Sequence, residues 1–116
     1  MKLSIYCQFD DLDLDLDFEQ EVQLYEDVQA ELEKWLETAD QKHQLLNESS
    51  RIGLFTSATK PNQLKTPLNF LYSLAKEFKL EFAIAMQEDN EWHEVCFFGY
   101  QEGRPDIFEV GCYLGL

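Results

Sequence analysis

The residues whose types could do chemistry gather first in Asp10-Asp11-Leu12-Asp13-Leu14-Asp15-Leu16-Asp17. Carboxylate oxygens at that density suit a hard cation such as Ca²⁺ or Mg²⁺. Alternate residues on one strand face, however, stand ~6.5–7 Å apart, so a row of carboxylates does not converge on one ion. The glycine that sharpens the calcium-loop pattern Asp-x-Asp-x-Asp-Gly-x5-Glu is also missing. No metal site is assigned. His93-Glu94 matches the start of the zinc-protease motif, but Phe97 stands where its second histidine belongs. In a regular strand His93 and Cys96 point to opposite faces, which argues against chelation. His43 falls near the end of a long helical pattern, where a positive charge is favourable, and needs no further role. Cys7, Cys96 and Cys112 sit in apolar strand patterns and read as core-filling thiols. A close Cys96–Cys112 pair stays open, because their two segments could pair.

Other catalytic signatures are missing. Gly111 and Gly115 have the wrong spacing for a nucleotide fingerprint. Ser57 and Thr59 lack a nucleophile elbow. Six bases after residue 50 (Arg51, Lys60, Lys65, Lys76, Lys79, Arg104) are scattered among nine acids, which is no nucleic-acid stripe unless folding gathers them. No cofactor is implied.

The chain has 116 residues and a net charge of −14, with 45% hydrophobic and 14% aromatic residues. That length and aromatic content predict one folded domain over 1–116 rather than disorder. Three cysteines make no disulfide framework, and reduced thiols suit a cytoplasmic protein. The first residues are a short apolar alternation running into aspartates, not a signal peptide, and no run is long enough to span a bilayer. Residues 1–50 carry 14 acids against three bases, and residues 51–116 nine against six. Between Asp10 and Glu33 there are 11 carboxylates and no Lys or Arg. Such a surface repels nucleic acid and anionic membrane, and attracts basic proteins.

Around these groups the elements read as follows. Leu3, Ile5, Cys7 and Phe9 alternate as a strand; Leu12, Leu14, Leu16 and Phe18 alternate with the opposite parity. Either a hairpin turns at Asp10-Asp11, or one strand is followed by an extended loop. Asp17 and Gln20 form a capping box for a long helix ending near 41–44, ~36 Å if about 24 residues are helical. Its core stripe is Phe18, Val22, Tyr25, Val28, Leu32, Trp35, Leu36 and Ala39. Residues 47–50 read as a turn and 51–57 as an interior strand with a close backbone approach at Gly53. Thr66-Pro67 starts a second helix with Leu68, Leu71, Leu74, Ala75 and Phe78 inward. Residues 80–87, 91–101 and 107–114 read as strands, with a turn at 88–90; Ala83 and Ala85 would admit a helix closely on their face. The sum is an α+β fold, two amphipathic helices packed on a mainly antiparallel sheet of four to six strands.

The functional expectation is a small acidic, non-enzymatic interaction protein of the immunity-protein, antitoxin or inhibitor type. It would dock a basic protein partner through Asp13, Asp15, Glu26, Asp27, Glu31 and Glu33, with Trp35 or Tyr25 as the apolar anchor. A related form is a nucleic-acid mimic, since carboxylates along a strand repeat at ~7 Å, close to the spacing of phosphates. A second class is a small-molecule binder or minor enzyme with an aromatic pocket between sheet and helices. Trp92, His93, Glu94, Phe98 and Tyr100 would line it, with Phe97 and Phe108 nearby. Aromatics on both faces of the late strands also suggest a homodimer contact.

Overall fold

The computed structural model describes residues 1–12 and 14–116, and of Asp11 the backbone alone. Five strands, β1 (Lys2–Gln8), β2 (Gln44–Glu48), β3 (Arg51–Ser57), β4 (Glu81–Glu88) and β5 (Glu91–Gly99), form one sheet in the order β2-β3-β1-β4-β5. Every neighbouring pair is antiparallel. Helices α1 (Phe18–Leu36), α2 (Lys65–Phe78) and α3 (Ile107–Leu114) complete the α+β fold.

β1 lies at the centre, so Leu3 through Cys7 are buried without interruption. Leu3, Ile5 and Cys7 enter the main core with Val28 and Leu32 of α1 and Leu68, Leu71 and Leu74 of α2. Ser4 and Tyr6 face the other way, where Tyr6 packs with Leu46, Ala83 and Ala85 in a small second cluster. The alanine face is therefore turned away from the helices. Phe82 and Ile84, on the opposite face, are the β4 residues in the helix-side core.

Four sequence expectations need correction. The Asp10-Asp11 hairpin does not form: β1 pairs with β3 and β4, and the chain leaves it through a 3-10 turn, Phe9–Asp11. Aspartate is a poor strand former, and the interior of the sheet offers β1 better-buried partners. The first helix stops at Leu36, giving 19 residues and about 28 Å. The chain then turns at Asp40, whose side chain accepts from Lys42 N at 3.0 Å, and residues 44–48 become the edge strand β2. Residues 107–114 are helical. Asp106 caps them by accepting from Phe108 N at 2.9 Å and Glu109 N at 3.1 Å, and Gly115 ends them at φ 76°. Helix α2 begins at Lys65, directly after a 3-10 turn at Pro61–Leu64, so Thr66 and Pro67 lie in its first turn.

Both hairpins use two-residue loops with positive φ: Ser49 (53°) and Ser50 (62°) between β2 and β3, Asp89 (52°) and Asn90 (65°) between β4 and β5. This left-handed pair matches the strand twist, at a cost of roughly 1 kcal/mol for a serine. Within β3, a Cβ on Gly53 would lie 1.9 Å from the Ile5 carbonyl oxygen and 2.8 Å from Tyr6 Cα. The close approach read from the sequence is thus an approach to the central strand itself. Two substitutions in this hairpin should act with opposite sign in urea denaturation. Ser50→Gly relieves the strained turn and should stabilise by about 0.5–1 kcal/mol. Gly53→Ala forces β3 off β1 and should cost at least ~2 kcal/mol.

Candidate functional site

The acidic surface is built on α1. Its capping box is complete: Gln20 N donates to Asp17 Oδ1 at 2.8 Å, and Asp17 N donates to Gln20 Oε1 at 3.0 Å. Glu19 and Glu21 in the first turn complement the positive helix end. The outward face presents Glu26, Asp27 and Glu33 in solvent, with Glu31 half-buried. Two amides on the same helix orient its acids. Gln23 donates to Asp27 and Gln29 to Glu33, each at 2.8 Å, and Asn47 of β2 ties Gln29 down at 3.2 Å. Asp15 is exposed on the approach to the helix, and Asp13 lies outside the described residues.

Lys34 in the last turn is the one base on α1, and no Lys or Arg pairs with the acids of this face at ion-pair distance among the described residues. Among the described residues the one ion pair is His93 with Glu91, at 3.9 Å. Of the six bases after residue 50, two meet: Lys76 and Arg104 approach the Tyr72 ring at 5.6 and 5.8 Å. Arg51 is held elsewhere, over the Tyr6 ring at 4.6 Å and donating to Gln8 Oε1 at 2.8 Å.

The proposed aromatic anchors are engaged internally. Trp35 stacks on Phe70 with ring centroids 4.6 Å apart, joining α1 to α2, and its other neighbour is His43 at 5.3 Å. Tyr25 meets Phe9 edge-on at 4.8 Å, and its hydroxyl donates to Asn47 Oδ1 and to the Arg51 carbonyl. The apolar side chains that α1 leaves in water are Phe18 and Val22, 78% and 40% exposed. They continue the core stripe at helical spacing, beyond the part that reaches the sheet.

His43 is not at a helix end. It is buried just before β2, with Nδ1 2.6 Å from Thr56 Oγ1. Burial lowers its pKa, Lys42 adds to that, and Asp40 opposes it weakly.

The second candidate lies on the sheet face away from the helices. β5 carries a bulge: Cys96 faces Ile84 and Glu94 faces Ala85, so Val95 is the extra residue. Past it the parity of β5 is reversed. Trp92, Glu94 and Phe97 share the open face, while His93, Cys96 and Phe98 share the helix side. A cavity of about 260 Å³ opens at the gap between β1 and β4, lined on this face by Tyr6, Ala83, Glu94 and Phe97 and from the helix-side core by Cys7, Phe82 and Leu12, with Leu14, Lys79 and Tyr100 also on its wall. Burial, then Glu94, raises the Tyr6 pKa, and Arg51 partly offsets this.

Of the residues expected to line a pocket between sheet and helices, Glu94 and Tyr100 line this cavity on the opposite face. Phe98 is in the core, stacked on Phe82 at 5.5 Å, so the helix side beneath β5 is filled. Trp92 lies farther along the open face, 6.0 Å from Phe55, and His93 is exposed beside Glu91. Phe108 is on the outside of α3. Burial pushes the thiol of Cys7 up to about 12 and that of Cys96 to about 11, while Cys112 is exposed on α3 rather than core-filling. Among the described residues no three of His, Cys, Asp and Glu converge as metal ligands, and no helix is long and apolar enough to cross a membrane. The open-face site had two traces in the sequence: Tyr6 on the strand's polar side, and the unbroken Val95-Cys96-Phe97-Phe98 run that marks a parity change.

Comparison with protein-family models, with curated proteins and with solved structures gave no match for this chain.

The buried imidazole gives a pH dependence. Unfolded, His43 protonates near pH 6.5; folded, its lowered pKa resists the proton. The unfolded state therefore binds more protons as pH falls below about 6.5, and stability drops until the folded pKa is passed. Urea midpoints between pH 7.5 and 5 should show this fall, and His43→Gln should flatten it.

Proposed function

We propose that this chain is a small acidic, non-enzymatic interaction protein that docks a basic protein partner through the outward face of α1. It is of the immunity-protein, antitoxin or inhibitor type. The observation that carries this reading is an exposed row of oriented carboxylates with no Lys or Arg within ion-pair distance among the described residues. Counter-ions for Glu26, Asp27 and Glu33 then come from solvent or from a partner. The side chains supplying adhesion are Phe18 and Val22, because charge complementarity mainly accelerates encounter while a desolvated apolar contact slows escape. Three free thiols suit a reducing compartment such as the cytoplasm.

The test places a photo-crosslinker at Phe18 or Glu33, and at Trp92 as a control, in lysate of the native host. A basic protein should be captured from the two α1 positions and not from Trp92. With that protein purified, Glu26→Lys/Asp27→Lys/Glu33→Lys should lower the association rate at least ~10-fold at low salt and flatten its salt dependence. Phe18→Ser should chiefly raise the dissociation rate. Association that ignores the triple reversal would overturn the proposal.

A further inference from the structure

The cavity on the open face has the organisation of a ligand site, and it is independent of the acidic helix. Its space comes from the way β1 and β4 part company. They are registered from Leu3–Met86 to Tyr6–Ala83, and beyond that Cys7 and Gln8 keep their pairing to β3 but have none to Glu81 and Phe82 of β4. Beyond Gln8 the chain turns through Phe9–Asp11, and Leu12 and Leu14 come back over the gap. Ala83, the smallest side chain facing it, leaves room that the facing Phe97 does not fill, since Phe97 is 59% exposed. At about 260 Å³ the space clearly exceeds the ~150 Å³ of an apolar cavity that takes up benzene.

The polar groups are unequal. Glu81 is already satisfied, accepting from Gln101 N at 2.8 Å and Glu102 N at 3.0 Å. Glu94 is exposed, has no Lys or Arg of the described residues within 4 Å, and stands near the Tyr6 hydroxyl. The bulge at Val95 is what brings Glu94 to this face. With regular pairing onward from Cys96–Ile84, Glu94 would face Met86 on the helix side. Lys79, the residue that ends α2, also lines the cavity. A carboxylate and a phenol oxygen at one end of an aromatic-walled space favour a cation on an apolar body. The −14 charge of the chain disfavours the approach of anions.

We infer that this cavity binds a small hydrophobic amine. Its apolar body lies between Phe97 and Tyr100 beneath Leu12 and Leu14, and its ammonium group donates to Glu94 and to the Tyr6 oxygen.

Three probes of one shape separate this from attraction to a negative protein: 4-phenylbutylamine, 4-phenylbutanol and 4-phenylbutanoate, titrated calorimetrically at pH 7 and 0.15 M salt. The amine should bind one to one, at least ~10-fold tighter than the alcohol, and the carboxylate should not bind. Glu94→Gln, at an exposed position, should reduce the amine to the affinity of the alcohol. Ala83→Leu, filling the space, should abolish binding of both; if that variant does not fold, Phe97→Ala should weaken both ~10-fold. The triple reversal on α1 should leave the amine affinity within about twofold, which keeps this test separate from the docking proposal. The inference is overturned if the amine does not bind, if Glu94→Gln leaves the amine-to-alcohol ratio unchanged, or if a folded Ala83→Leu protein still binds the amine.

Discussion

Burial of β1 on both faces is the constraint on which the rest of the structure depends. A strand whose Leu3, Ile5 and Cys7 enter the main core and whose Tyr6 packs with Leu46, Ala83 and Ala85 on the other face needs pairing on both edges. β3 pairs with it along its length and β4 from Leu3 to Tyr6, so Leu12 and residues 14–17 are left outside the sheet rather than folded back as a hairpin. Gly53 follows from the same constraint, because β3 reaches β1 too closely for any side chain at that position. So does the cavity, which sits where β1 runs out of partner on the β4 side.

The charge distribution follows from what α1 can bury. Val28 and Leu32 are fully enclosed, and the half-turns on either side reach the sheet with Tyr25 and the second helix with Trp35. The remaining faces are left to carboxylates, which repel one another along the helix by a few tenths of a kcal/mol per close pair. The capping box, the helix dipole at Glu19 and Glu21, and the Gln23 and Gln29 amides offset part of that repulsion. Lys34 in the last turn is the one base on the helix, and it forms no ion pair with these acids. A self-repelling face kept without counter-ions is the cost that the docking proposal accounts for.

Local signals in the sequence were reliable where one principle decided the outcome. The Asp17–Gln20 box, the α2 stripe, the Tyr25–Leu36 part of the α1 stripe, the Asp89-Asn90 turn and the Gly53 approach all concern neighbours in sequence or a single steric fact. Phe18 and Val22 of the expected α1 stripe instead stand in solvent, and Ala39 lies past the helix. Failures came where two periods fitted the same residues. Ile107, Val110, Gly111 and Leu114 are one helical face, and they also lie in an apolar run that alternates. The cap at Asp106 and the stop at Gly115 decide between them, and both were readable. The open-face cavity was harder to read. It depends on a one-residue bulge that reverses every side chain of β5 before Cys96, and on a gap between strands distant in sequence. Strand alternation assumes regular pairing, so Trp92 and Phe98 were expected to line one pocket, and the bulge puts them on opposite faces.

The two surfaces are joined by continuous contacts. Tyr25 of α1 donates to the Arg51 carbonyl, the Arg51 guanidinium covers the Tyr6 ring, and Tyr6 stands beside Glu94. A contact chain of that kind transmits a signal only if one of its members has two arrangements that both sites can bias. Here each member is fixed from a second side: Tyr25 by Phe9, Arg51 by Gln8, and Tyr6 by burial in the smaller core. Packed this way, the chain acts as a brace between helix and open face, and binding energies at the two surfaces should add.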